Sequence, residues 1–170
     1  SIGMQALNIS LGASILLFLY SAVLKKTLLI GNFVVSLLVG LTFVYGGVIS
    51  GYYIPALILG VLALFSNMGR EIFKSIDDME GDRKHNVRSL PLRIGEKPAK
   101  TVASIFILFA IALSALPYIA GIFNVAYMFS VFIVDILFIA MLFRKDGQTK
   151  LCKVIMLFAL IAFLIGALVK

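Results

Sequence analysis

Two long stretches without any charged or histidine side chain constrain the fold of this chain more than any other feature. Residues 1–24 and 27–69 contain no Asp, Glu, Lys, Arg or His. A helix needs about 20 apolar residues to cross a bilayer, at about 1.5 Å of rise per residue. The first stretch is therefore long enough for one membrane-spanning helix and the second for two, with the turn between them near Gly51 and Pro55.

The rest of the chain has the same character. Residues 101–143 contain one charged side chain, Asp135, and are interrupted around Pro117, and residues 154–169 form a last uncharged run. The hydrophobic fraction is 62% and the charged fraction 14%, whereas a water-soluble domain has roughly 25% charged residues. The sequence therefore predicts an all-α polytopic transmembrane bundle, in a single domain over 1–170. Its six helices are expected at 5–24, 28–49, 54–73, 101–119, 122–143 and 151–169.

Basic side chains concentrate on one side of this predicted bundle. Every Lys and Arg except Lys170 lies in residues 25–26, 70–100 or 144–153, which a six-helix meander places on the same face. Loops rich in Lys and Arg stay on the cytoplasmic side of a membrane. We therefore expect a multi-pass protein of the cell membrane with its charged loops in the cytoplasm. Topology accounts for the net charge of +7, so no nucleic-acid partner is expected.

Residues 70–100 form a predicted cytoplasmic loop that holds six of the eight acidic residues. A loop this long is usually functional or carries short helices of its own. If the third helix continues beyond the membrane, about 100° of rotation per residue aligns several polar side chains in one stripe, with Gly81 as a possible helix end. The members of this polar stripe are Asn67, Glu71, Lys74, Asp78 and Asp82.

The polar stripe has the composition of a metal–diphosphate site. Two carboxylates one turn apart and a third about two turns earlier suit Mg²⁺, which takes oxygen ligands from carboxylates and phosphates. We take Glu71, Asp78 and Asp82 as candidate metal ligands, with Asp78 and Asp82 also catalytic. The candidate diphosphate-binding residues are Asn67, Lys74, Lys25, Lys26, Arg83 and Arg88.

Each of these assignments has a structural alternative. A charge run is commonly a solvated face, and Glu71 could pair with Lys74 on its own helix. Asn67 could bond a neighbouring helix, and Lys25 and Lys26 could serve only as topology determinants. Asp135 lies in the middle of a span, where an unpaired charge is costly, so we expect it to face the bundle interior in a structural hydrogen bond.

Two motifs resemble a known family. The first is Glu71-x6-Asp78-x3-Asp82, followed by Arg83 and then Leu-Pro-x3-Gly over residues 90–95. It resembles the second aspartate-rich motif of the UbiA superfamily of intramembrane prenyltransferases, and is most similar to the archaeal branch. The second motif is a helix-ending tyrosine, two lysines and a Gly-Asn pair within residues 20–32. Where many relatives carry Asp, this chain has Ser75.

The resemblance implies a Mg²⁺-dependent transfer of a polyprenyl group, geranylgeranyl in the archaeal branch, from its diphosphate to geranylgeranylglyceryl phosphate in ether-lipid synthesis. The isoprenoid tail would lie in the bundle beside membrane lipids, and Tyr20 would stabilise the allylic cation through its ring face. The family has nine membrane helices, so the six here would correspond to the last six. We therefore expect a fragment whose N-terminal part, with an Asn-x3-Asp-x3-Asp motif, is missing.

Two other functions are compatible with parts of the pattern. A UbiA-type aromatic prenyltransferase of quinone or related biosynthesis would use the same diphosphate site with an aromatic acceptor. A cation transporter or channel would place acidic side chains deep in several spans, and only Asp135 occupies such a position.

Overall fold

The structure, a computed structural model, describes residues 2–24 and 27–168, without the side chains of Ile2 and Leu28. The described part is helical and contains no strand. Its helices are α1 (Ile2–Ala22), α2 (Leu28–Ser50), α3 (Tyr53–Asp77), α4 (Met79–Lys84), α5 (Leu90–Ile94), α6 (Glu96–Ser114), α7 (Leu116–Ile119), α8 (Val125–Leu142) and α9 (Gln148–Leu168).

The six predicted spans are confirmed, with shifted ends. By length and composition, six segments of the described residues can cross a membrane, and the fourth of them combines α6 and α7. This span begins at Glu96 rather than 101, because Pro98 lies in its first turn, where a missing backbone N–H costs nothing. It breaks between Ser114 and Leu116, just before Pro117, which cannot donate to the preceding turn.

Residues 70–100 are largely helical. The third span continues to Asp77 instead of ending at 73, and α4 and α5 follow it. Gly81 does not end the helix as expected; α4 runs past it to Lys84, and the chain then turns through Asn86, which has a left-handed φ of 52°. The Leu90–Pro91 pair at the start of α5 is buried, so the loop is anchored to the bundle.

The third span is the most buried of the six and packs against α2, α6 and α9. Its crossing with α2 depends on two glycines, since a Cβ at Gly40 would lie 2.7 Å from the Gly60 carbonyl oxygen. Small residues of this kind let membrane helices approach closely. On its other side, Ile72 and Phe73 belong to a core that includes Ile107 of α6. The polar residues near the end of α3 are therefore carried on the best-supported helix.

Candidate functional site

The polar stripe continues across the junction of α3 and α4. The Asp78 N–H donates to the Lys74 carbonyl oxygen at 2.9 Å, and the Asp82 N–H donates to the Asp78 carbonyl oxygen at 2.9 Å. These bonds have α-helical spacing, so Lys74, Asp78 and Asp82 follow one another at intervals of one turn. Asp78 is exposed and Asp82 half-buried. The backbone therefore keeps the one-turn spacing of these three residues across the junction, although α3 ends at Asp77.

Glu71 is buried within an arrangement of two cations. Its Oε1 accepts a hydrogen bond from Arg70, and its Oε2 lies 4.0 Å from Lys74 Nζ. Pairing with Lys74 was the alternative to metal binding predicted for Glu71 from the sequence, and this pair is present. Arg70 was missed at the sequence level, because adjacent residues of a helix diverge by about 100° and only its long side chain brings the guanidinium back to Glu71.

Two side-chain hydrogen bonds connect α3, which carries the polar stripe, to α2. The buried Asn67 donates from Nδ2 to Ser36 Oγ at 3.2 Å, and Asn32 donates from Nδ2 to Ser75 Oγ at 3.4 Å. The alternative that Asn67 bonds a neighbouring helix is therefore confirmed. Asn32 belongs to the Gly-Asn pair of the second motif, so this bond connects the second motif to the helix that carries the first.

The remaining candidates lie at different places. Tyr20 is half-buried, and a Cβ at Gly31 would lie 3.6 Å from its ring, so this ring is beside the start of α2. Arg83 is exposed and lines a surface cavity with Asp77 and Glu96 rather than pointing along the stripe. Arg88 is also exposed. Lys25 and Lys26 lie outside the described residues.

The carboxylates fit a metal ion that is held only partly by protein. Within the described ranges, no three Asp, Glu, His or Cys side chains lie close enough together to hold a metal ion. Asp78 and Asp82 are one turn apart, and Mg²⁺ is commonly bound through one or two carboxylates plus phosphate oxygens. Glu71 already has two cationic partners, so the three-carboxylate set stays a prediction.

A mainly apolar cavity of about 400 Å³, called the central chamber below, lies inside the bundle. Its walls come from α2, α3, α6, α8 and α9, and they include Leu62, Ile111 and Phe138. Ser66 lines it beside Asn67, so the chamber begins about 16 Å of helix below Asp77. A volume of this size suits a small or chain-like ligand.

Asp135 lines the central chamber and is hydrogen-bonded, as predicted from its depth. Ser114 donates from Oγ to Asp135 Oδ2 at 2.7 Å, and the Tyr127 hydroxyl donates to the Ser114 carbonyl oxygen at 2.7 Å. The second bond satisfies a carbonyl at the end of α6, where no further helical N–H follows. These contacts connect α6 to α8 at a polar position of a mainly apolar chamber wall.

Comparisons with known proteins agree with both motifs. The UbiA prenyltransferase family matches residues 1–168. The chain is 40% identical over 161 residues to the digeranylgeranylglyceryl phosphate synthase of Methanocaldococcus jannaschii, covering 89% of this chain and 56% of that protein. It is 41% identical over 167 residues to the synthase of Methanococcoides burtonii, covering 94% and 59%.

A solved structure from work on digeranylgeranylglyceryl phosphate synthase in membranes is also similar. It superposes with a TM-score of 0.89 at 38% identity, over 96% of this chain and 61% of the solved chain. The chain thus spans little more than half of the length of the relatives that it matches.

Proposed function

Because the chain belongs to the UbiA prenyltransferase family, we propose that it transfers a geranylgeranyl group from its diphosphate to geranylgeranylglyceryl phosphate. Two proteins named digeranylgeranylglyceryl phosphate synthase are about 40% identical to it. The observation that carries the proposal is the position of the acidic α3–α4 segment at the mouth of a bundle with an apolar chamber. A prenyl diphosphate needs both features, because its diphosphate binds a metal held by carboxylates and its isoprenoid tail needs an apolar space.

The diphosphate would be held at the polar stripe. Asp78 and Asp82 would hold Mg²⁺, and Lys74 would contact the phosphate oxygens. When bound, Mg²⁺ supplies positive charge beside the diphosphate as negative charge develops on it. Arg70 and Lys74, which flank Glu71, keep the local charge from being wholly acidic. The two cations offset two of the three carboxylate charges, and Mg²⁺ would have to offset the rest before an anionic diphosphate could bind.

The chemical step exchanges one carbon–oxygen bond for another. The bond between C1 of the prenyl chain and the diphosphate breaks, and the diphosphate leaves with the bonding electrons. The acceptor hydroxyl attacks C1 and gives its proton to the departing diphosphate. Tyr20 would stabilise the allylic cation through its ring face, by about 0.5–2 kcal/mol. Exclusion of water from the space around C1 would protect the cation from hydrolysis.

The proposed location is the cell membrane, with residues 70–100 in the cytoplasm, because the basic residues concentrate on that face. Exposed large apolar side chains such as Phe129, Phe132 and Ile133 cover the outside of α8. They suit contact with lipid, so both substrates can reach the protein through the bilayer. Labelling of cysteines introduced at exposed loop positions in intact cells would test the orientation.

Metal removal provides the direct test of the proposed function. The complete gene product, in lipid, is incubated with geranylgeranyl diphosphate and geranylgeranylglyceryl phosphate, and the ether product is measured by mass spectrometry. We expect product formation with Mg²⁺, loss of at least about a hundredfold in EDTA, and recovery when Mg²⁺ is restored. Transfer to an aromatic acceptor alone would support the aromatic prenyltransferase instead, and cation flux without transfer would support a channel.

Replacing Lys74 by glutamine is expected to raise the KM for the prenyl diphosphate about tenfold, with a smaller change in kcat. The substitution removes a half-exposed positive charge beside Glu71, and a phosphate contact of this kind contributes mainly to binding. Steady-state kinetics at saturating Mg²⁺ would measure it. Lys97→Gln, which removes an exposed charge in the first turn of α6, is the matched control; equal effects of the two variants would contradict the assignment.

A further inference from the structure

A second cavity lies beyond the central chamber, toward the uncharged end of the bundle. Its volume is about 600 Å³, and we call it the distal cavity. Both cavities are bounded by α2, α3 and α9, and on each helix their lining residues follow in order. On α3, Ser66 and Leu62 line the central chamber, whereas Leu59 and Ala56 line the distal cavity. The two spaces are therefore stacked along the bundle axis.

Phe43 lies where the two cavities meet. Of the described residues that line them, Phe43 alone lines both. On α2, Val39 and Thr42 precede it along the central chamber, and Gly47 and Ser50 follow it along the distal cavity. This order covers about 16 Å of helix from Val39 to Ser50. Phe43 therefore lies at the boundary between the two spaces.

The distal cavity has walls that could accept an apolar chain. Its lining includes the small residues Gly47, Ala56 and Ala167, together with Leu59 and Phe123. A chain that extends from the central chamber into the distal cavity would pass Phe43. A chain that stops before this ring buries its whole length, whereas a longer one must displace the ring or leave its end unaccommodated.

We propose that Phe43 sets the maximum length of the prenyl chain that the central chamber accepts. This inference rests on the proposed function, because it assigns the chain of the donor to the chamber. A donor one isoprene unit longer could bury that unit in the distal cavity only if the Phe43 ring were removed. Phe43 is thus a specificity-determining residue, remote from the carboxylates that would hold the diphosphate.

The experiment compares donors of increasing length in Phe43→Ala and Phe43→Trp variants of the complete gene product. The donors are geranylgeranyl diphosphate and all-trans diphosphates one and two isoprene units longer, each at several concentrations. We expect Phe43→Ala to raise the kcat/KM for the longer donors relative to geranylgeranyl diphosphate by about tenfold or more. Phe43→Trp is expected to lower the same ratio. The matched control is Phe33→Ala, an exposed phenylalanine on the same helix, which should leave the ratio unchanged.

Binding separates failure of this inference from failure of the proposed function. Thermal stabilisation of each variant by the same donors reports chain accommodation without any transfer step. If wild type transfers no prenyl group but the Phe43 variants still shift the preferred length in binding, the function fails and the role of Phe43 stands. If transfer occurs and both Phe43→Ala and the milder Phe43→Leu keep the wild-type length preference, the role of Phe43 is refuted. A variant that does not fold is replaced by Phe43→Leu in both assays.

Discussion

Replacing Asp78 or Asp82 by asparagine is expected to lower the rate of prenyl transfer on the order of a hundredfold or more. Asparagine keeps the size and the side-chain oxygen but removes the charge that would hold Mg²⁺. The two residues are one helical turn apart and accessible from the cytoplasmic side as proposed. Product formation should be measured over a range of Mg²⁺ concentrations, and the apparent Mg²⁺ affinity should fall along with the rate.

Asp77→Asn is the matched control for this pair. Asp77 is exposed and adjacent to Asp78. It does not belong to the polar stripe and instead lines the surface cavity beside Arg83. Its removal changes the net charge equally, so a general electrostatic effect would reduce all three rates alike. Near wild-type rates in Asp78→Asn and Asp82→Asn, or an equal loss in Asp77→Asn, would contradict the metal-site proposal.

A bulky side chain at the crossing of α2 and α3 is expected to lower the stability of the protein. Gly40→Val should lower the free energy of unfolding by about 1–3 kcal/mol, because the new Cβ would lie 2.7 Å from a backbone oxygen that cannot move without separating the helices. Gly46→Val is the matched control, since nothing lies within 4 Å of a Cβ at Gly46 on the same helix. Unfolding in mixed detergent micelles, followed by circular dichroism, would measure both.

A double variant tests the cause of this destabilisation. A Cβ at Gly60 would lie 2.8 Å from the Gly40 carbonyl oxygen, so Gly60→Val should destabilise by a similar amount. Once one substitution has separated the helices, the other should cost less, and the two effects should be less than additive. Strict additivity would show that the two glycines do not share one contact.

The features predicted from the sequence are those with a strong local signal. Absence of charge over 27–69 and the break near Pro117 specify the number of spans without tertiary information. A carboxylate in the middle of a span has few low-energy positions, which is why the interior location of Asp135 could be predicted. The one-turn spacing of Asp78 and Asp82 follows from helical periodicity alone.

The features that were missed depend on which helices become neighbours. Phe43 and Phe33 are both phenylalanines in an uncharged helix, and nothing local distinguishes the one between two cavities from the one on the outside. The contact of Asn32 with Ser75 joins residues far apart in the chain. Gly81 lies inside α4 although a helical glycine costs about 1 kcal/mol, and the Asp82–Asp78 and His85–Gly81 backbone bonds close the turns on either side of it.

The two backbone hydrogen bonds that cross the junction of α3 and α4, from Asp78 to Lys74 and from Asp82 to Asp78, have a mechanical consequence. The acidic residues move as an extension of α3, the helix with the most neighbours in the bundle. A hinge at Asp78 would have to break backbone bonds, so this segment is suited to serve as a stationary platform. In the proposed reaction, entry of lipid substrates would then rely on lateral displacement of the less buried spans, while the segment that would bind the anionic headgroup stays in place.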